Sequence, residues 1–384
     1  MRKLGIYVHV PYCKKKCIYC DFYSVTDIST QEEYFSSIIK QIKKVKNRSN
    51  IKSILVDSIY FGGGTPSYVK PKYILDIISA IKQTFTVSKN CEITLEMNPG
   101  TVTGSSLSQY KAAGINRLSI GLQSANDDEL EMLSRIHTKD KFEETFALCR
   151  IEGFDNINID LMYALPNQSE EKLVKSIKYV TSLNPEHISL YGLKVEPETP
   201  LASNTKLVSQ IPDEDTQYSM FVKARDILEK NGYEQYEISN FAKPGKECIH
   251  NLKYWHSEEY LGFGASASSF FNNELYTYVK DINTIISTPL DIVQTICSTE
   301  DLSSIKEQAK QYLMLAFRLS EGINIETYKK RFGLDFEEEY LPKIKKYLDN
   351  DFIEKTQIGY RLSKSGMLVS NYILSDILDF TKKE

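Results

Sequence analysis

Nowhere in the 384 residues does an apolar run approach the roughly 18 needed to cross a bilayer, so any membrane association would have to be peripheral. An excess of one charge is lacking too. The 47 Lys and Arg against 51 Asp and Glu leave a formal net charge of −4, which gives no support to general nucleic-acid binding. Cysteine is sparse: of seven, Cys91, Cys149, Cys248 and Cys297 are scattered singly, so no disulfide framework is expected and the usage suits a reducing cytoplasm. Tryptophan occurs once, and none of the five histidines has metal-ligand spacing to another. The opening residues, Met1 to Cys13, hold two basic side chains and an apolar stretch, but His9 and Pro11 interrupt it and no small-residue cleavage site follows. That segment reads as a first strand and not as a secretory leader.

What is present is an alternation. From residue 4 to about 193, short β-rich runs (Leu4–Val10, Ile54–Phe61, Glu92–Met97, Arg117–Gly121, Ile157–Leu161 and His187–Leu193) alternate with longer stretches of helical period. Polar and glycine-rich segments fall repeatedly just beyond the carboxyl ends of these strands, so the expected fold is α/β, a partial (β/α)6 TIM-type barrel with its active face at that end. An amphipathic helix over Asp213–Lys230, stopped by Asn231-Gly232, closes a core domain of residues 1–232. Residues 233–299, rich in aromatics, Gly and Ser with little regular period, read as a linking region packed on the barrel. Residues 300–384 are expected to form a smaller α+β domain. Helices near Leu302–Leu319, Ile325–Phe332 and Phe336–Asn350 precede a hairpin, Ile353–Leu362, and a last helix, which resembles a winged helix. Its charges cancel, which favours packing or protein interaction over DNA binding.

Chemistry concentrates in Cys13-Lys-Lys-Lys-Cys17-Ile-Tyr-Cys20. The C-x3-C-x2-C spacing lets three thiolates of one loop meet three corners of an iron–sulfur cubane and leaves the fourth iron without a protein ligand. A zinc site completed by His9, or three packed cysteines, would be the plainer readings. Gly62-Gly63-Gly64-Thr65-Pro66, after the second strand, adds a place where backbone can approach a ligand that a Cβ would block.

This pairing resembles the radical S-adenosylmethionine (SAM) superfamily. The runs Tyr7-Val-His-Val-Pro-Tyr-Cys13, Phe61-Gly-Gly-Gly-Thr-Pro-Ser67, Glu96-Met-Asn-Pro-Gly100, Arg117-Leu-Ser-Ile-Gly-Leu-Gln-Ser124 and Asn158-Ile-Asp-Leu-Met-Tyr163 narrow the resemblance to the oxygen-independent coproporphyrinogen III oxidase (HemN) group. The match extends over essentially the whole chain. It implies a [4Fe–4S] cluster on Cys13, Cys17 and Cys20, with the amino and carboxylate groups of SAM on the open iron and one-electron cleavage to a 5′-deoxyadenosyl radical. SAM contacts are implied for Tyr7, Gly63, Gly64, Thr65, Glu96, Gln123, Arg135 and Asp160. Read without the resemblance, Arg135 is a solvated surface charge, and Glu96 and Asp160 are each a ligand contact or a buried structural hydrogen bond.

Two departures argue against coproporphyrinogen oxidation. The oxidases carry a further cysteine two residues past the third ligand, where this chain has Phe22, and a substantial N-terminal extension, where only twelve residues precede Cys13. Both fit a heme-chaperone branch of the group, as does His250-Asn-Leu-Lys-Tyr-Trp255, matching an H-N-x-x-Y-W motif associated there with heme. The resemblance then implies His250 as a heme ligand, with Cys248 competing. His9, His137, His187 and His256 are weaker choices. The expected activity is binding heme and passing it to an acceptor protein that could be membrane-associated, in the cytoplasm or peripherally at a membrane. The electron donor is unidentified, no nucleic-acid partner is expected, and a homodimer is allowed. The rival is a radical SAM oxidoreductase acting on a porphyrinogen.

Overall fold

In six segments of the chain an apolar residue alternates with a polar or small one, and each of the six is a strand. In the computed structural model, which describes residues 1–45, 53–290, 295–302 and 304–378, they are β1 (Arg2–Val10), β2 (Ile54–Gly63), β3 (Thr86–Met97), β4 (Arg117–Gln123), β5 (Ile157–Tyr163) and β6 (His187–Gly192). They pair in parallel in that order. The sheet stays open: it curves as a partial barrel and does not close on itself.

Parallel strands covered on both faces usually read as continuous apolar runs. Here one face is apolar and the other is polar, yet both are covered. Leu4, Ile6 and Val8 of β1, with Ile59, Phe61, Leu95, Leu118, Ile120 and Ile159, join a core with helices such as Gln31–Val45 and Pro71–Thr84 on the convex side. The concave side carries Gly5, Tyr7 and His9, then Ser58 and Tyr60, Glu92 and Glu96, Arg117 and Ser119, Asn158 and Asp160, and His187 and Ser189, brought level by register. Gly5 faces Ser58 and Ser58 faces Glu92, while Glu96 faces Ser119, which faces Asn158. Local signals end the connecting helices: Thr103 and Ser106 form a capping box, and Gly114 takes a left-handed cap at φ 104°.

The described residues between 233 and 301, nearly all in the segment expected to have little regular period, supply six more strands: β7 (Glu234–Gln235), β8 (Asn240–Ala242), β9 (Tyr260–Phe263), β10 (Ser268–Phe271), β11 (Glu274–Tyr278) and β12 (Ile296–Asp301). They extend the sheet at both edges into the order β12-β11-β10-β9-β1-β2-β3-β4-β5-β6-β8-β7. Most of these strands have two to five residues, too few for a period of two to stand out. The turn signal was there, however. Asn272 and Asn273, both at positive φ, form the two-residue connection of the β10–β11 hairpin, where Phe271 pairs with Glu274.

The C-terminal part has helices Ile305–Ala316, Ile325–Phe332 and Phe336–Leu348, and a three-stranded sheet of β13 (Ile323–Asn324), β14 (Ile353–Lys355) and β15 (Gly359–Leu362) with β15 in the middle. Helices Lys364–Leu368 and Ser370–Leu378 follow. This is the winged-helix-like arrangement expected, although residue 303 and residues 379–384 lie outside the described chain. It has its own core of Leu313, Tyr328, Phe336, Tyr340, Ile344 and Ile373. It docks on the larger part through Ser320, whose N–H donates to the Tyr236 carbonyl (2.9 Å), and through Arg331, which donates to the carbonyls of His256 (3.0 Å) and Ser257 (2.7 Å).

Candidate functional site

The three cysteines sit on one loop between β1 and the first helix, at the carboxyl mouth of the concave face. Its base is pinned by Cys13 N–H to the Val25 carbonyl (2.9 Å) and Val25 N–H to the Pro11 carbonyl (2.7 Å). Ile18 and Tyr19 pack it against Leu133, Met162, Leu165 and Leu201. All three thiols are free, Cys13 buried and the other two partly exposed. Burial pushes the Cys13 and Cys20 thiols up, Cys20 to about 11, so loading with a metal would have to release protons.

A chain of polar contacts joins the loop to the ends of β2, β3 and β4. Arg135 donates from Nη1 to Cys17 Sγ (3.5 Å) and from Nη2 to Asn98 Oδ1 (2.6 Å) and the Gly121 carbonyl (2.8 Å). Asn98 Nδ2 donates to Thr65 Oγ1 (2.9 Å), which stands 3.4 Å from Cys13 Sγ. Because Asn98 fills the acceptor side of that hydroxyl, the Thr65 proton is free for the sulfur. Arg135 is therefore tied to the cysteine loop and is not the solvated charge its sequence context suggested. Asn98 was not picked out from the sequence, although it stands inside the quoted Glu96–Gly100 run.

The glycines serve close approach. Gly64 donates to the Val10 carbonyl (2.8 Å), and a Cβ there would lie 2.9 Å from the Tyr12 backbone and the Val10 oxygen. Gly63 has φ 110°, with the His9 ring where a side chain would go. Glu96 accepts from the Tyr60 hydroxyl (2.9 Å) and the Gly63 N–H (3.2 Å). Burial, then the Asp160 charge, raises its carboxyl to about 7. Asp160, also raised by burial, accepts from Asn158 Nδ2 (2.7 Å) and the Ser119 hydroxyl (3.3 Å). Gln123 ends β4 at φ 72°, a strained position for a side chain. Tyr7, Gly63, Gly64, Thr65, Glu96, Gln123, Arg135 and Asp160 thus share one concave face with the cysteine loop.

His9 does not complete a zinc set with the cysteines. Its Nε2 faces the Tyr23 carbonyl (2.9 Å) and must donate, which leaves Nδ1 to accept from the Tyr7 hydroxyl (3.0 Å). Among the described residues no group of three His, Cys, Asp or Glu gathers as a single ion would need. A donor set of three thiols on one loop, whose base Gly64 lets pack tightly against the end of β2, fits a larger cluster with one open corner.

His250 lies elsewhere. It is on the helix Ile249–Trp255 beneath the amino side of β1, β2 and β3, level with Ser58 and Glu92, about 13 Å along the strand from Glu96 at ~3.3 Å per residue. It is 1% exposed, with Nδ1 2.9 Å from the Ser58 hydroxyl and Nε2 2.8 Å from the Tyr254 hydroxyl. Burial and the charges of Lys253 and Arg117 lower it to about 3, so the ring is neutral. Cys248 is fully buried, raised by burial to about 12, and donates to Glu92 Oε1 (3.5 Å). His137 faces the Leu122 carbonyl, His187 bridges Asn158 and Tyr236, and His256 pairs with Glu321.

The Radical SAM superfamily profile matches residues 7–180 and the HemN C-terminal domain profile residues 304–369. In fold, the chain superposes on coproporphyrinogen III oxidase (HemN) from Escherichia coli with a TM-score of 0.85 at 21% identity, over 99% of this chain and 91% of that one. The chain therefore has the α/β radical SAM fold. Heme chaperone HemW from Buchnera aphidicola subsp. Schizaphis graminum is 34% identical over 98% of both chains, and HemW from Bacillus subtilis is 30% identical over 97% of this chain and 98% of its own. The chain belongs to the HemW family.

Proposed function

We propose that the protein is a heme chaperone that holds a [4Fe–4S] cluster on Cys13, Cys17 and Cys20, with SAM exchangeable at the open iron, and passes heme to an acceptor protein. The proposal keeps the division into a core of 1–232, a segment of 233–299 and a C-terminal domain of 300–384. It carries over to this chain the function named for its near-full-length relatives. The observation that turns it from oxidation toward delivery is Phe22: it is 68% exposed beside Cys20, at the position where the oxidases have a further cysteine. The rim suits a tetrapyrrole, since exposed Lys14, Lys15 and Lys16 offer cations to propionates and Phe22 and Ile136 offer apolar contact.

A bound cluster supplies the electron for reductive cleavage of SAM. The residues of the chain hold and orient. Arg135 holds the Cys17 sulfur and Thr65 the Cys13 sulfur, while Glu96 would hold the ammonium of SAM and Asp160 and Gln123 its ribose. Anaerobically reconstituted protein is expected to retain heme and to leave coproporphyrinogen III undecarboxylated. Robust decarboxylation without heme retention would establish the oxidoreductase reading instead.

A further inference from the structure

We propose that His250 is a positioning residue, holding Tyr60 on Glu96 from beneath the barrel, and that it does not ligate heme iron. The inference rests on the reading that Glu96 receives the SAM ammonium. A neutral imidazole has one lone-pair nitrogen, and here the two ring nitrogens face two hydroxyls, Ser58 at 2.9 Å and Tyr254 at 2.8 Å. Whichever tautomer is present, the nitrogen that iron would need already accepts an O–H. The ring is also enclosed. Tyr254 meets it edge-on with centroids 5.1 Å apart, Tyr60 stacks on it at 5.3 Å, and a Cβ on Gly5 would lie 3.3 Å from its Cε1, so no macrocycle face can reach it.

The helix that carries His250 is fastened where it starts. Glu92, 6% exposed, accepts from the N–H groups of Ile249 and His250 (both 3.1 Å) and from the Cys248 thiol. Lys253, 2% exposed, pairs with Asp57 at 2.7 Å and Glu258 at 3.0 Å. Glu92 and Glu96 project from the same face of β3, one to hold the helix and the other to face the mouth. Tyr60 spans the gap, its ring flat on His250 (interplanar angle 28°) and its hydroxyl on Glu96 Oε1. Removing the imidazole opens a space beside the phenol and frees Tyr60 to leave the carboxylate. The H-N-x-x-Y-W run then reads as the clamp of the barrel floor: His250 braces Tyr60, Tyr254 braces His250, and Trp255 ends the helix beside Arg318 of the C-terminal domain (5.9 Å).

The test uses full-length reconstituted protein. SAM affinity is read from the change SAM makes in the electron paramagnetic resonance spectrum of the reduced cluster, and heme is read by its absorbance. His250→Ala is expected to weaken SAM binding about 10-fold, the order of one hydrogen bond to a charged group, with heme uptake unchanged. Tyr60→Phe, which keeps the stacking but loses the hydroxyl, should weaken it similarly, and the double variant no further, because both act through one contact. His250→Gln, able to meet both hydroxyls but a poor iron ligand, should recover SAM affinity to within about 2-fold and take up heme. Loss of heme in both His250 variants with SAM affinity intact overturns the proposal, as do additive losses in the double variant. Unchanged SAM affinity in Glu96→Ala overturns the site reading and this inference with it. Failure of the unsubstituted protein to take up heme sinks the chaperone reading alone, and the SAM measurements still decide the role of His250.

Discussion

Replacing Glu96 by Gln should flatten part of the pH dependence of stability in the SAM-free protein. The Glu96 carboxyl is carried from its ordinary 4.5 to about 7, by burial first and by Asp160 second. At about 1.4 kcal/mol per pH unit, the ionised group is disfavoured by folding by at most about 3 kcal/mol, and the two hydrogen bonds it accepts are already counted in that figure. The sign follows from proton binding. The folded chain holds this proton more tightly than the unfolded chain, so Glu96 costs nothing below pH 4.5, its cost grows as pH rises to about 7, and it is constant above. Thermal unfolding of the SAM-free protein, followed from pH 5 to 8, should therefore show the wild type losing a few degrees more than Glu96→Gln across that interval. The difference between profiles matters more than either melting temperature, because Glu237, also raised to about 7 by burial, contributes the same trend to both. Saturating SAM should restore the wild type at pH 8 by giving the carboxylate a cation, and should do little for the variant. Parallel profiles for the two proteins would refute the reasoning.

Three further outcomes follow from the site. Cys17→Ala should abolish the cluster's charge-transfer absorbance after reconstitution, since only two thiolates of the loop remain, and an intact [4Fe–4S] spectrum would show that the ligands were misassigned. Gly64→Ala places a methyl 2.9 Å from three backbone atoms that cannot move aside, and should cost about 1–3 kcal/mol in denaturant unfolding; an unchanged midpoint would mean the mouth is looser than the structure has it. Arg135→Ala strips a charged donor from Asn98 and the Gly121 carbonyl, and should lower stability by about 2 kcal/mol and speed cluster loss to a chelator, whereas Arg135→Lys keeps the charge and should recover only part. Chelation at the wild-type rate in both variants would remove Arg135 from the loop's support.

The parts of the fold legible in the sequence were those with enough length to show a period. β1 to β6 could be placed because five or more residues of alternation, or an apolar run before a glycine turn, leave little choice. β7 and β8 could not, since two or three residues carry no period and their pairing is decided by what lies beside β6. The cysteine loop was legible through spacing. That Arg135 reaches the loop was implied only by resemblance, because nothing in Ser134-Arg135-Ile136 tells a half-buried, hydrogen-bonded guanidinium from a solvated one. Glu92 was missed altogether: it opens a predicted strand as an ordinary charged residue, and its work of capping a helix more than 150 residues away exists only once β3 and that helix meet. The polar alternation of the strands was visible and easily misread as one solvated face, when it lines an interior.

That interior has a floor. The Ile249–Trp255 helix, tied by Glu92 at its start and by the Lys253–Asp57 pair, closes the amino side of the sheet beneath Tyr60. Tyr60 touches that helix through His250 and the mouth through Glu96, so on the role proposed for it a fault in the floor would be felt at the door.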